Sequence, residues 1–372
     1  MYALLFADTG LSHAEISALF ALWSVVGIVA EIPTGALADR FSRRTSLVVA
    51  GLLQAAGYAL WVALPGFPAF AAGFVLWGLG GSFVSGALQA LLYDGLVAHG
   101  AQRHYAHVYG QVEAVGLLAQ LPAAAAATVL FSLGDYELVG WVSVATCLGA
   151  AALASRLPEP PRSAGEEPDT GYLPTLRAGV AQAFVRPVVR RAVLAVALLT
   201  GLDALEEYFP LLAQDWGVAT GVIPLAMVAI PFAGAVGAAL GGRAGRLGPV
   251  ALGLTLGAGA LLLAGTGLAA HPAGLAGVAV FYGLYRMVLV VADARLQDRI
   301  EGPARATVTS VAGLATDLAV FVVYAAWVLG AVLAAATLVL LVAAALPYAL
   351  RAPRPGSEPA GAREGNRPVL PT

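Results

Sequence analysis

The sequence predicts an all-α integral membrane protein, built as two six-helix bundles with a shortened first helix. Three observations carry this reading. The 372 residues are 59% hydrophobic and 11% charged, with a mean hydropathy of +0.82, whereas a soluble domain carries about 25% charged residues. Eleven apolar stretches approach or exceed the roughly 20 residues that a spanning helix needs. All but one of the 20 arginines fall outside the spans or at a span end, in alternate loops and the tail, and the chain has no lysine. This composition excludes a soluble enzyme, a disordered regulator and a nucleic-acid binder, and a net charge of −2 provides no field for polyanions.

Met1 to Gly10 is apolar but would reach only about 15 Å as a helix. It has neither the basic start nor the cleavage site of a signal peptide. It reads as the outer half of a first helix whose inner half is missing: translation begins upstream of Met1, or this copy has lost half a helix. Segments near 14–38, 45–64, 69–92, 106–131 and 138–155 complete a first bundle over residues 1–155. The stretch 156–191, with Pro158, Glu159, Pro160, Pro161, Glu166, Glu167, Pro168 and Asp169, reads as a polar linker. Its end, Leu173 to Arg191, suits a short surface helix. Segments near 192–213, 220–241, 249–270, 273–296, 306–327 and 330–350 form a second bundle over 192–350. The Pro- and Gly-rich tail, 351–372, has the composition of disorder. The spans are helices because the runs are rich in Ala and Leu, lack period-two alternation and exceed the length of a barrel strand.

Arginine placement sets the orientation. With the 39–45 loop in the cytoplasm, the same side receives Arg40, Arg43, Arg44, Arg103, the linker arginines, Arg243, Arg246, Arg295, Arg299, Arg305 and the tail. The opposite loops (65–68, 132–137, 214–219, 271–272 and 328–329) hold none. Linker and C-terminus are then cytoplasmic, in a bacterial inner membrane. The two bundles also resemble each other weakly. Leu37 to Arg43 aligns with Leu240 to Arg246, and Asp94 falls near Asp298. Parallel halves with a site between them at mid-membrane are a transporter plan.

Between spans two and three the chain reads Gly35-Ala36-Leu37-Ala38-Asp39-Arg40-Phe41-Ser42-Arg43-Arg44. This resembles the G-x-L-x-D-R-x-G-R-R loop of the major facilitator superfamily, with Ser42 at a position the family fills with Gly. The resemblance covers nearly the whole chain and implies the family's twelve-helix fold. It also implies that Gly35, Asp39, Arg40, Arg43 and Arg44 latch the halves on the cytoplasmic side in the outward-open state. Ser85 to Asp94, Glu207 to Leu211 and Arg305 to Ser310 look like bacterial drug-efflux relatives. Two efflux hallmarks are weak: Gln120-Leu121-Pro122-Ala123-Ala124 keeps the Pro of a span-five motif and loses its Gly, and span four has no Arg.

Ionisable residues inside spans are functional candidates, since each central charge costs about 2.5–3.5 kcal/mol. Asp203, Glu206 and Glu207 share the i, i+3, i+4 face of a helical span seven, where they repel one another and favour a proton carrier. Arg286, alone inside a span, needs a partner, and Asp203 and Asp317 are both candidates. Glu31, one turn before Gly35, and Glu113 in span five are proton or substrate sites, or line a gate toward the cytoplasm. Cys147 alone forms no disulfide framework, and the five histidines show no metalloenzyme spacing, so neither cofactor, metal nor catalysis is expected. No phosphate-binding P-loop is present, which favours ion-driven over ATP-driven transport.

The reading is a monomeric secondary transporter in the lipid bilayer, exporting small amphipathic or drug-like compounds against protons by alternating access. Uptake by a symporter or facilitator, and a non-transporting remnant, are its alternatives. Single cysteines at Ser42 and Ser163, in a Cys147→Ser background, are expected to label from the same compartment. Labelling from opposite compartments would end the topology.

Overall fold

A computed structural model describes residues 1–40, 42–158, 187–298 and 305–351, and every long element among them is helical. The first half contains α1 (Tyr2–Asp8), α2 (His13–Arg40), α3 (Arg43–Ala63), α4 (Phe67–Ala98) and α5 (Tyr105–Ala154). The second contains α6 (Pro187–Gly201), α7 (Phe209–Asp215), α8 (Ile223–Met227), α9 (Ala229–Ala244), α10 (Pro249–Ala269), α11 (Gly274–Gln297) and α12 (Arg305–Ala349). A 3-10 segment, Leu202–Tyr208, joins α6 to α7, and another, Thr220–Val222, leads into α8.

Eight of the described helical stretches are long and apolar enough to cross a membrane. Two of these, within α5 and α12, each hold two of the expected spans. Span seven adds one more in three short pieces. The helix α5 leaves helical geometry at Gly134 (φ −163°, ψ 29°) and Asp135 (φ 54°, ψ −156°). Its arms, 105–133 and 136–154, run in opposite directions. Tyr105 packs edge-on against Tyr93 beside the arginine-rich ends, Tyr136 bonds Asp8 at the other end, and Arg44 reaches the Leu157 carbonyl as the chain returns. The helix α12 reverses by the same two-residue device at Gly330 (φ −174°, ψ 30°) and Ala331 (φ 44°, ψ −133°). The repeat that the sequence shows weakly is therefore also a repeat of backbone geometry.

Small residues set the helix spacings, because in lipid close backbone approach replaces the hydrophobic drive. A Cβ on Gly51 of α3 would lie 2.9 Å from Ala151 Cβ, which places the 136–154 arm against α3. A Cβ on Gly237 of α9 would lie 1.9 Å from the Gly283 carbonyl oxygen of α11. Ser42 has φ −173° and needs no left-handed backbone; it caps α3, its side chain accepting from the Thr45 N–H at 3.0 Å. That is why the family's glycine is dispensable here.

The loop between the second and third spans of each half is tied to the end of the fourth. In the first half Arg43 pairs with Asp94 and donates to the Ala90 carbonyl at 3.0 Å. In the second, Arg295 donates to the carbonyls of Gly245 and Leu247. The donor has changed sides while the joint is kept. The expected surface helix lies outside the described residues up to 186, and its last five residues open α6 instead, starting at Pro187. The first turn suits proline, whose missing N–H would be unpaired there in any case. The 299–304 connector and the tail beyond 351 also lie outside the described residues.

Gly237→Ala is expected to lower the unfolding free energy by about 1–3 kcal/mol through overpacking. Gly242→Ala, whose Cβ would meet nothing within 4 Å, should leave it unchanged. Thermal unfolding of the purified variants checks both.

Candidate functional site

Span seven breaks where its charges lie. Pro210, in the first turn of α7, has no N–H to donate to the carbonyl four residues back, and this releases the preceding turn from α geometry. Residues 202–208 take the 3-10 form instead. With three residues per turn, positions i and i+3 eclipse and i+4 turns away by a third of a circle. The expectation that Asp203, Glu206 and Glu207 share one face is corrected accordingly. Asp203 and Glu206 point toward α11, and Glu207 points toward the first half.

Asp203 is the partner of Arg286. The guanidinium Nη1 lies 3.1 Å from one carboxylate oxygen and 3.3 Å from the other. The Tyr282 hydroxyl donates to Asp203 at 3.0 Å and also lies in hydrogen-bonding reach of Glu206. Tyr285 turns the other way and donates to the Leu199 carbonyl at 2.8 Å, anchoring α11 to α6. Both charged side chains remain 34% exposed, so the pair is accessible rather than sealed. Glu206 lines a cavity of about 210 Å³ with Gln120, Phe209, Pro210, Met227 and Pro231. The walls come from both halves, and Gln120 belongs to the motif stretch of span five that kept its proline.

Glu207 accepts a hydrogen bond from Tyr2 of α1. This bond belongs to a seam between the halves at the arginine-poor end. Ser17 bonds Tyr208 at 2.7 Å, Ser24 bonds Tyr324 at 3.2 Å, and Gln214 donates to Asp8 at 2.7 Å. His13 and Asp215 stand 4.0 Å apart across it. Burial raises the Asp215 carboxyl above its ordinary range, and the opposing His13 lowers it in part. The Tyr208 and Trp327 rings stack at 4.2 Å, and Phe20 packs on both Tyr208 and Tyr324.

The helix α2 and the 305–329 arm run antiparallel along this seam. Seven residues beyond Ser24 lies Glu31, and seven before Tyr324 lies Asp317, about 10 Å nearer the arginine-rich end. The two carboxylates thus stand at the same level on facing helices, and Glu31 is exposed.

Of the loop residues singled out by the sequence, Arg43 pairs with Asp94 and Arg44 donates to the Leu157 carbonyl at 3.5 Å, both within their own half. Gly35, Asp39 and Arg40 lie on the last turns of α2, and their side chains, like that of Glu113 in α5, fall outside the described residues. Sequence reasoning missed Tyr2, Asp8, Ser17, Ser24, Tyr208 and Tyr324, hydroxyls and a short-chain acid with no pattern to mark them. Asp94, an acid ending span four on the arginine side, is a natural partner for Arg43.

The family model described as Major Facilitator Superfamily matches residues 1–324. Among solved structures, a mutant of the nucleoside transporter NupG is similar at 13% identity and a TM-score of 0.74, over 94% of this chain and 93% of that one. A D-xylose–proton symporter follows at 15% and 0.67, over 91% and 89%. A bacterial homolog of the human lysosomal transporter Spinster, inward-facing and unoccupied, gives 15% and 0.68, over 94% of both chains. No curated protein matches the chain.

Arg286→Ala and Asp203→Asn should each destabilise the protein, and the double variant should lose less than their sum. The expected coupling is about 1–3 kcal/mol, as for residues in direct contact. Additive losses in thermal unfolding would dissolve the pair.

Proposed function

Because the chain belongs to the major facilitator superfamily, we propose that it is a proton-coupled secondary transporter of small molecules that works by alternating access. It is a multi-pass membrane protein and a transporter rather than an enzyme. The observation that carries the proposal is the arrangement of charge along the seam. Hydrogen bonds and aromatic stacking join the halves at one end, and toward the other the carboxylates of Glu31 and Asp317 stand at one level on facing helices.

With the arginine-rich ends in the cytoplasm of a bacterium, as the positive-inside rule favours, the joined end of the seam faces outward. In this reading the like charges of Glu31 and Asp317 oppose close approach of the inner ends. Protonation of either one removes that repulsion and lets the inner ends approach, where Asp39, Arg40, Arg43 and Arg44 of the 35–44 loop latch them. Asp203 and Arg286 supply the second coupling element. A proton on Asp203 weakens its hold on Arg286 and frees α11 to move against span seven. Glu206, and Glu113 in the opposite half, are further proton or substrate positions in this reading.

Export of amphipathic compounds is supported by the likeness of Ser85 to Asp94, Glu207 to Leu211 and Arg305 to Ser310 to efflux relatives. Uptake by symport or facilitation has support of similar weight. Span five lacks the antiporter glycine, span four lacks an arginine, and the similar structures include a D-xylose–proton symporter.

Proteoliposomes with an imposed pH gradient, screened across lipophilic dyes, sugars and nucleosides, decide between them. Substrate leaving against proton entry identifies export, and co-movement identifies uptake. Arg286→Ala is expected to abolish proton-driven flux and Asp39→Asn to slow it, both at wild-type expression. Flux that ignores the gradient, or a fully active Arg286→Ala variant, would refute the coupling.

A further inference from the structure

The cavity beside Glu206 is built by both halves. Gln120 and Ala124 come from the 105–133 arm of α5, Glu206 and Phe209 from span seven, Met227 from α8 and Pro231 from α9. Gln120 and Glu206 are exposed, so a solute can reach both. They are also the only polar side chains among the described residues that line the cavity. The Arg286 guanidinium bonds both oxygens of Asp203. Arg286 acts on Glu206 only through space, as do the carboxylates of Asp203 and Glu207, and the Tyr282 hydroxyl in reach of Glu206 is neutral. With both acids ionised, Asp203, Glu206 and Arg286 together leave one negative charge, and Glu206 carries it on the cavity wall.

This lining selects among solutes. A sugar carries hydroxyls on every edge, and two polar side chains would leave most of them without partners, each at a cost. An anion would meet a carboxylate. A neutral apolar solute would cover the walls and strip water from Glu206 without replacing it. A small lipophilic cation uses the whole lining. Its charge sits on the Glu206 carboxylate, with the Gln120 amide oxygen as a second acceptor. Its apolar body lies against Met227, Pro231 and the Phe209 ring, and thioether and aromatic surfaces accept cationic as well as apolar groups. We infer that this cavity binds a small lipophilic monocation, such as a quaternary ammonium bearing an aromatic ring. Because the walls belong to both halves, the occupant must part from one of them when the halves separate. That the cation is cargo rests on the chain being a proton-coupled transporter; its binding does not.

The test is equilibrium dialysis of radiolabelled phenyltrimethylammonium against the purified full-length chain in an uncharged detergent. The wild type should show saturable binding that neither benzenesulfonate nor D-xylose displaces. Glu206→Gln should weaken binding about tenfold, the low end of what a contact to a charged group contributes. Ala124→Phe, which fills the cavity from the α5 side and keeps the carboxylate, should weaken it independently and so covers the case of a poorly folding Glu206→Gln. Absence of saturable binding to the wild type would overturn the site. So would unchanged affinity in a folded Glu206→Gln or Ala124→Phe variant, or displacement by benzenesulfonate or D-xylose as effective as by the unlabelled cation. A cation that binds but does not move in proteoliposomes under a pH gradient would leave the site standing and count against transport of that cargo. Other solutes carried without any cation binding would do the reverse.

Discussion

The pairing of Asp203 with Arg286 sets the terms for the rest of the molecule. Either charge alone at this depth would cost about 2.5–3.5 kcal/mol, so α11 and span seven must lie close enough for a guanidinium to reach a carboxylate. Span seven meets that demand by abandoning the α-helix. Pro210 withholds a backbone donor, residues 202–208 tighten into a 3-10 segment, and Asp203 and Glu206 come into line toward Tyr282 and Arg286. The same change of pitch sends Glu207 to the opposite half, where Tyr2 meets it. One local distortion therefore builds an ion pair within a half and a contact between halves.

The seam is made of a different kind of interaction. Its bonds are mostly between hydroxyls and neutral or singly charged partners, each worth about 0.5–3 kcal/mol net, over an aromatic layer that includes Phe20, Tyr208, Tyr324 and Trp327. Bonds of this size can be exchanged one at a time, which suits a joint that has to part. The short α1 belongs to this joint rather than to the periphery. Leu4 and Phe6 are fully buried, Phe6 packs on Trp61, Phe70 and Phe74, and Asp8 accepts from both Tyr136 and Gln214. An apolar stretch too short to span a membrane still closes one end of the bundle.

Much of this was legible without coordinates. Each expected span falls on helix, and the reversals at Gly134–Asp135 and Gly330–Ala331 fall in or beside the short loops expected at 132–137 and 328–329. Arg286's need for a partner followed from its burial in an apolar run. The choice of Asp203 over Asp317 did not follow, because both acids fit a pairing rule that ignores which helices are neighbours. The shared face expected for Asp203, Glu206 and Glu207 failed for a physical reason: it assumed 3.6 residues per turn through a stretch that ends in proline.

Periodicity, apolar length and arginine bias act through the solvent, and the bilayer reads them off the chain one segment at a time. They determined that this is a helical membrane protein and where along the chain its apolar helices lie. Pair identities are of another kind. That Asp203 holds Arg286, that Glu31 opposes Asp317, and that serines and tyrosines fasten the halves depend on helix register and neighbour choice. Both are settled by small-residue contacts such as Gly237 on Gly283, between segments far apart in sequence. Only the assembled bundle decides them, because a hydrogen bond a few ångströms long is sensitive to displacements that leave hydropathy unchanged.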